Sequence, residues 1–283
     1  MRNILRSILN GFKTRWRYLT YLKKGGVLQV PVYVLPETKE LYGTTCVVTG
    51  GAHGLGEVIT KRLLSAGAEV IVIGRNKTKL DILQNSLKNE CLHTFQWDLT
   101  DLSNIKQQLL RVADMSKNKC FHIWINNAAY VSGNGEMIAN PMTTYDKTFD
   151  LNVKSLLFVG QTVCNYFKDN RIMGKMINIS SLSSIQADIH PYYISKCAVN
   201  AITEGLAKKY IPYAINVNGI APGYLPSGIN YTNVDINAYR EQSLAKRYVR
   251  LEEIAELVLF LVSGRGNSIV GQTIFCDGGD TLR

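Results

Sequence analysis

The chain predicts a doubly wound, parallel α/β sheet with helices on both faces, preceded by a basic extension. Three observations carry that prediction. From Leu41 onward, short apolar runs alternate with helix-length amphipathic segments. A glycine-rich turn follows the first run directly and opens a helix. The composition, 46% apolar and 19% charged over 283 residues, suits one large soluble domain around a single core.

In order, the strand-like runs are Thr44 to Val48, Val70 to Ile73, Thr94 to Trp97, Phe121 to Ile125, Met176 to Ile179, Ile215 to Val217 and Thr273 to Phe275. Strands separated by helix-length segments pair in parallel through right-handed crossovers, giving three layers, helix on sheet on helix. Ligands of such sheets bind beyond the carboxyl ends of the strands, where the strand order reverses. The first of those ends carries Thr49-Gly50-Gly51-Ala52-His53-Gly54-Leu55-Gly56. Glycines between a strand and a helix let backbone approach a phosphate, which the helix N-terminus then meets with free N–H groups and a positive dipole end.

Farther on, Tyr192-Tyr193-Ile194-Ser195-Lys196 puts a phenol and an ammonium on one helical face, because positions i and i+4 are surface neighbours. A tyrosine titrates near pH 10, and a cation within about 4 to 6 Å lowers an acid's pKa by about 1 to 3 units. A phenol so placed can exchange a proton near neutral pH. The pair alone is also what any half-exposed helix face would carry.

The formal charge of +10 is uneven: residues 1–36 hold Arg2, Arg6, Lys13, Arg15, Arg17, Lys23 and Lys24 and no acid, which leaves 10 − 7 = +3 for the rest. Ile4, Leu5, Ile8, Leu9, Phe12, Trp16 and Leu19 recur near helical spacing between those cations. That basic amphipathic pattern suits an anionic membrane interface. An organelle-targeting peptide and an arm on a partner subunit are the other readings. No recognition module accompanies the charge, so nucleic acid is not an expected partner. No run reaches about 18 apolar residues, so no bilayer-spanning helix is expected. The six cysteines and four histidines are scattered, without metal-ligand spacing; no metal is expected, and the thiols read as reduced and mostly buried. The domain boundary is expected near residue 40, dividing a 1–40 extension from a 41–283 domain; a cytoplasmic location is expected, and on the membrane reading the extension would attach it peripherally to the inner face of a membrane.

The TGxxxGxG spacing of Thr49 to Gly56 resembles that of the short-chain dehydrogenase/reductase family, whose domain is Rossmann-like. The resemblance covers about residues 41–283, with the family's motifs in the family's order. Asp98-Leu99 stands where the family meets the adenine. Asn126-Asn127-Ala128-Ala129 is similar to its NNAG, with Ala129 where glycine is usual. Asn152 matches the asparagine of the long fourth helix, Ser181 the catalytic serine, and Tyr192 with Lys196 the YxxxK pair. Pro222-Gly223 matches the loop over nicotinamide, with Ser227 where threonine is frequent, and Gly271 to Gly279 the carboxyl-terminal signature.

The resemblance implies hydride transfer between nicotinamide and a carbonyl carbon, with Tyr192 handling the proton at its oxygen. Ser181 would hydrogen-bond that oxygen, Lys196 would bind the nicotinamide ribose and depress the tyrosine pKa, and Asn152 would hold a water leading to Lys196. Ser183 stays an alternative to Ser181. It also implies a homodimer or homotetramer, built on the long helices beginning near Thr143 and Tyr192 and on the last strand.

For the cofactor, Gly74 occupies the place where NAD-preferring relatives carry an acid, and Arg75 follows it. A guanidinium can fork onto a 2′-phosphate and stack on adenine, so NADP(H) is expected over NAD(H); a protonated His53 would reinforce it. A solvated cation at a strand end is the plainer reading of Arg75. Substrate contacts are expected from residues 224–248 and from Gln186 to His190, with Asp188, His190, Tyr224, Asn230, Tyr231, Asn233, Asn237 and Tyr239 as candidates. An acyl-thioester ketone, a sugar or polyol, and a lipid or steroid ketone all remain open. Other functions weighed are a cofactor-binding scaffold without catalysis and a sugar-nucleotide-modifying enzyme of the same fold.

Overall fold

The computed structural model describes residues 16, 19, 39–132, 136, 139–226 and 239–282. All seven expected strands form: β1 (Thr45–Thr49), β2 (Glu69–Gly74), β3 (Leu92–Gln96), β4 (Ile123–Asn126), β5 (Lys175–Ile179), β6 (Asn216–Pro222) and β7 (Thr273–Cys276). They make one parallel sheet in the order β3-β2-β1-β4-β5-β6-β7. The chain winds outward from β1 to β3 and then crosses back to β4, so the reversal lies between β1 and β4.

Two strand limits differ instructively from the apolar runs. β4 opens at Ile123 because Phe121 leaves the ladder to stack on Tyr166, with ring centroids 4.4 Å apart. β6 runs past Val217 to Pro222, since pairing with β7 continues through Gly219 to Pro222 although the side chains turn polar at Asn218.

Helices α1 (Gly54–Ser65), α2 (Lys77–Leu87) and α7 (Leu251–Val262) cover one face of the sheet; α3 (Ile105–Met115), α5 (Leu156–Asp169) and α6 (Pro191–Tyr210) cover the other. Strand alternation sorts the core. Cys46, Val48, Val70 and Val72 pack with Ile59, Leu63 and Val258, whereas Val47, Ile71 and Ile73 pack with Trp124, Phe167 and Tyr210. α4 (Pro141–Phe149) leads into α5 through a π-helical stretch, Asp150–Ser155. Such an irregularity within a helix often marks a functional site, and here it turns Asn152 and Ser155 into the protein. Leu41 joins the first core cluster, and its N–H bonds the Ala66 carbonyl at 2.9 Å.

Candidate active site

The cofactor side of the crevice is shaped by side chains that are missing. Gly50 turns at φ +64, and a Cβ on it would lie 3.0 Å from the Ala128 Cα. A Cβ on Gly56 would lie 2.2 Å from the Gly50 carbonyl oxygen, and one on Gly51 would lie 2.8 Å from Thr60 Oγ1. These three glycines let the turn, α1 and the segment after β4 close on one another. Gly54, at φ +56, would meet nothing within 4 Å, so the space above the first turn of α1 is open. Open space over a helix N-terminus fits a pyrophosphate.

Thr49 and Asn127 hold this cradle from behind. Asn127 Nδ2 donates to the Thr49 and Gly50 carbonyls at 3.0 and 3.1 Å. The Asn127 and Ala128 N–H groups donate to Thr49 Oγ1 at 3.0 and 3.1 Å, and that hydroxyl donates to the Ile125 carbonyl at 3.2 Å. Thr49 Oγ1 and Asn127 Nδ2 are spent on the protein itself, where they shape the turn.

At the far end, Arg75 is exposed beyond β2, and its carbonyl accepts from Gln96 Nε2 at 3.1 Å. Asn76 caps α2 by accepting from the Lys79 N–H at 3.1 Å. Lys79 thereby enters the neighbourhood of His53, a cation that sequence reasoning missed; the asparagine three residues before it was the available signal. The condition for His53 to reinforce the phosphate site, protonation, is disfavoured. Burial, and then the Lys79 charge, hold its pKa below the ordinary histidine value. Leu99 is buried, while Asp98 lies exposed and accepts from the Thr100 N–H and hydroxyl at 3.0 and 2.8 Å.

The chemical side gathers at the carboxyl end of β5. Lys196 Nζ, buried, donates to the Ile179 carbonyl at 2.7 Å and lies 5.5 Å from the centre of the Tyr192 ring. Ser181 caps the 3₁₀ turn Leu182–Ile185 and stands beside the Tyr192 phenol, where it favours the phenolate. Asn200 occupies two of the competing serines: Ser180 Oγ donates to its Oδ1 at 2.6 Å, and its Nδ2 donates to Ser184 Oγ at 2.9 Å. Ser183 contributes its N–H to Ser181 Oγ at 3.1 Å.

The expected lowering of the Tyr192 pKa is also corrected. In the protein alone, burial raises it, with the Ser181 hydroxyl pulling the other way. Lys196 is itself pushed down to about 8 by burial, because no carboxylate compensates its desolvation. Burial disfavours both the phenolate and the ammonium.

Asn152 is fully engaged within the fold. Its Oδ1 accepts from the Tyr130 N–H at 2.7 Å, and its Nδ2 donates to the Tyr130 carbonyl at 2.9 Å and to Ser195 Oγ at 3.1 Å. Ser195 Oγ in turn donates to the Tyr192 carbonyl at 2.7 Å. The motif spacing gave Ser195 no role.

Just beyond β6, Gly223 lies against Asp277, whose Cα a Cβ would approach to 2.7 Å. Tyr224 is part-exposed beneath the Arg240 guanidinium, which sits 3.4 Å from its ring centre and 3.6 Å from Asp280. Tyr239 bridges to Arg247, and Asp188 accepts from the His190 N–H at 2.8 Å. Ser227, Asn230, Tyr231, Asn233 and Asn237 lie outside the described residues. All six cysteines are free, but only Cys46 and Cys164 are buried and Cys197 is exposed, which corrects the expectation of mostly buried thiols. Among the described residues, no group of three or more His, Cys, Asp or Glu side chains could hold a metal, and no helix is long and apolar enough to cross a membrane.

Residues 50–281 match the family model described as enoyl-(acyl carrier protein) reductase. The chain belongs to the short-chain dehydrogenase/reductase family. It is 30% identical to gluconate 5-dehydrogenase of Gluconobacter oxydans over 256 residues, 87% of this chain and 98% of that protein. It is 28% identical to the 3-oxoacyl-[acyl-carrier-protein] reductase FabG of Rickettsia bellii over 247 residues, 85% of this chain and 98% of that one. Among solved structures, a gluconate 5-dehydrogenase from Burkholderia cenocepacia in complex with NADP and tartrate superposes with a TM-score of 0.76 at 26% identity, covering 87% of this chain and 98% of that chain. As a short-chain dehydrogenase/reductase, this chain is an oxidoreductase acting on hydroxyl and carbonyl groups with a nicotinamide cofactor.

Proposed function

We propose that this short-chain dehydrogenase/reductase interconverts a small-molecule carbonyl and its secondary alcohol, prefers NADP(H) to NAD(H), and moves the proton through Tyr192. The observation that carries the reading is the convergence of Ser181, Tyr192 and Lys196 at the carboxyl end of β5, beside a glycine cradle open above α1. The bound nicotinamide supplies or accepts the hydride.

Tyr192 gives its phenolic proton to the carbonyl oxygen in reduction and takes it back in oxidation. Ser181 hydrogen-bonds the same oxygen as charge develops there. Lys196 donates to the cofactor ribose, and its ammonium then favours the phenolate between turnovers. Gly50, Gly51, Gly54, Leu55 and Gly56 present the turn to the pyrophosphate, with Asp98 and Leu99 at the adenine. Arg75 receives the 2′-phosphate, which Gly74 leaves unopposed.

Substrate class is tested with 5-keto-D-gluconate, L-xylulose and acetoacetyl-coenzyme A, following the chemistry named in the relatives. NADPH oxidation by at least one is expected; tight NADPH binding without turnover of any carbonyl would overturn the enzymatic reading. Arg75→Asp is expected to weaken NADPH binding by about 10- to 100-fold, the loss of one charge-assisted fork, and NADH binding much less. Equal losses would overturn the preference.

A homodimer or homotetramer fits the open grooves between α5 and α6, lined by Leu157, Ala201 and Ile202, and between α6 and β7, lined by Ala207, Val270 and Phe275. Residues 1–24, of which Trp16 and Leu19 are described and exposed, are proposed as an anionic-membrane anchor on a cytoplasmic enzyme. Deleting them should abolish sedimentation with anionic vesicles and leave soluble activity intact; unchanged vesicle binding would refute the anchor.

A further inference from the structure

Tyr192 is held by its main chain at both ends, and the two restraints return to one segment of the protein. At the carbonyl end, Ser195 Oγ donates to the Tyr192 oxygen at 2.7 Å and accepts from Asn152 Nδ2 at 3.1 Å. Asn152 in turn grips the backbone of Tyr130 through both N–H and C=O, at 2.7 and 2.9 Å. At the amide end, His190 is the N-cap of α6, and its Nδ1 accepts from the Tyr192 N–H at 3.1 Å. An imidazole nitrogen that accepts leaves the ring proton on the other nitrogen. His190 Nε2 therefore donates to the nearest partner, Ser132 Oγ, at 3.3 Å. Ser132 is itself buried, two residues beyond Tyr130.

The hydrogen bonds close a ring that begins and ends at Tyr192. It runs from the Tyr192 N–H through His190 to Ser132, along the chain to Tyr130, and back through Asn152 and Ser195 to the Tyr192 carbonyl. Pro191 at the first helical position has no N–H to donate, so the Tyr192 N–H is the first that the cap can take. His190 in turn is fixed by its own N–H on Asp188 Oδ1 at 2.8 Å.

We infer that His190 is a positioning residue for proton transfer: with Ser132, it does for the amide end of Tyr192 what Asn152 and Ser195 do for the carbonyl end, and the four together set the phenol against Ser181. Relaxing one arm lets the first turn of α6 fray and moves the phenol relative to the reacting oxygen, without touching the cofactor cradle. This rests on the reading of Tyr192 as the proton carrier. It goes beyond that reading by giving His190, considered above only for substrate contact, a task that a substrate-binding histidine would not have.

The test compares His190→Ala, which deletes the cap, with His190→Asn, whose side-chain oxygen can accept the same N–H. Two measurements are made: turnover of whichever panel carbonyl is reduced, and, independent of any substrate, the Cζ resonance of ¹³C-labelled Tyr192, assigned by its loss in Tyr192→Phe. His190→Ala should lower kcat by about 10- to 50-fold, the scale for a small misplacement of a reacting group, with NADPH Kd unchanged, and should displace the Tyr192 resonance. His190→Asn should recover kcat to within about threefold and restore the resonance, because asparagine is among the best N-caps. Wild-type kcat with an unmoved resonance in the alanine variant would overturn the inference, as would an asparagine variant no better than alanine.

If His190→Ala does not fold, Ser132→Ala decides, since it removes only the acceptor of the imidazole N–H. A decline of roughly three- to tenfold in kcat with a displaced resonance is expected there, and no change in either would refute the ring. If no panel carbonyl is reduced, the resonance alone decides. Turnover surviving in Tyr192→Phe would instead defeat the proton-carrier reading, an outcome separate from the failure of His190.

Discussion

The two ends of the parallel sheet carry similar chemistry to different effect. At the amino ends of the strands, Glu69 accepts from Thr45 Oγ1 at 3.2 Å, lies 2.9 Å from His93 Nε2, and accepts from the Lys117 N–H at 3.2 Å. Beside it, His122 Nδ1 accepts from the Thr45 N–H at 3.2 Å. Glu69 and His93 satisfy one another there, and Thr45 ties both Glu69 and His122 to β1. At the carboxyl ends, Lys196 is buried with a carbonyl for company, and Tyr192 is held where burial resists its ionisation. A cluster that satisfies itself stabilises the fold, whereas groups held in an unfavourable ionisation environment are available for work on a ligand.

Substitutions at the two ends should therefore separate turnover from stability. The largest effect is expected for Tyr192→Phe, which should lower kcat by at least about 1,000-fold by removing the acid, with NADPH Kd and Tm unchanged. Substantial residual reduction would erase the distinction between the ends. Next comes Glu69→Ala, which should lower unfolding stability by about 2 to 3 kcal/mol, measured in urea, because the Lys117 N–H and Thr45 hydroxyl lose a buried acceptor. Its kcat and KM should match the parent; a fall in kcat with no loss of stability would show that the amino end also serves the reaction.

The smallest effect sharpens the comparison. Lys196 is held at about 8 in the folded protein against an ordinary 10.5, so between those values the unfolded chain binds more protons and stability rises with pH. The penalty for this lysine is complete below pH 8 and gone above about 10.5. Lys196→Met should therefore raise the Tm of the cofactor-free protein at pH 7 by about 2 to 5 °C. The gap should narrow as pH rises from 8 toward 10.5; a gap that widens would place the cost elsewhere.

Much of this arrangement was legible before any coordinates. The seven strands could be found because their cores are apolar and β-branched, and Gly50, Gly51 and Gly56 because close approach leaves no choice of residue. Strand ends were less legible where pairing outruns hydropathy, as at Asn218 to Pro222. Ser181 stood among four serines in sequence, and it took Asn200, a turn beyond Lys196 on α6, to occupy Ser180 and Ser184. The Ser132–His190 and Asn152–Ser195 hydrogen bonds left no periodic trace, because contacts between segments 58 or 43 residues apart have no local pattern.

By itself the sequence determined the layering of the domain, the strand after which phosphates can approach, and the pairing of Tyr192 with Lys196, since periodicity, glycine geometry and the helical repeat are local properties of the chain. Tertiary structure alone decided the protonation balance and the aim of the phenol. Those depend on which groups lose water together, and burial on folding moved Lys196, Tyr192 and His53 away from the behaviour that sequence spacing alone suggests.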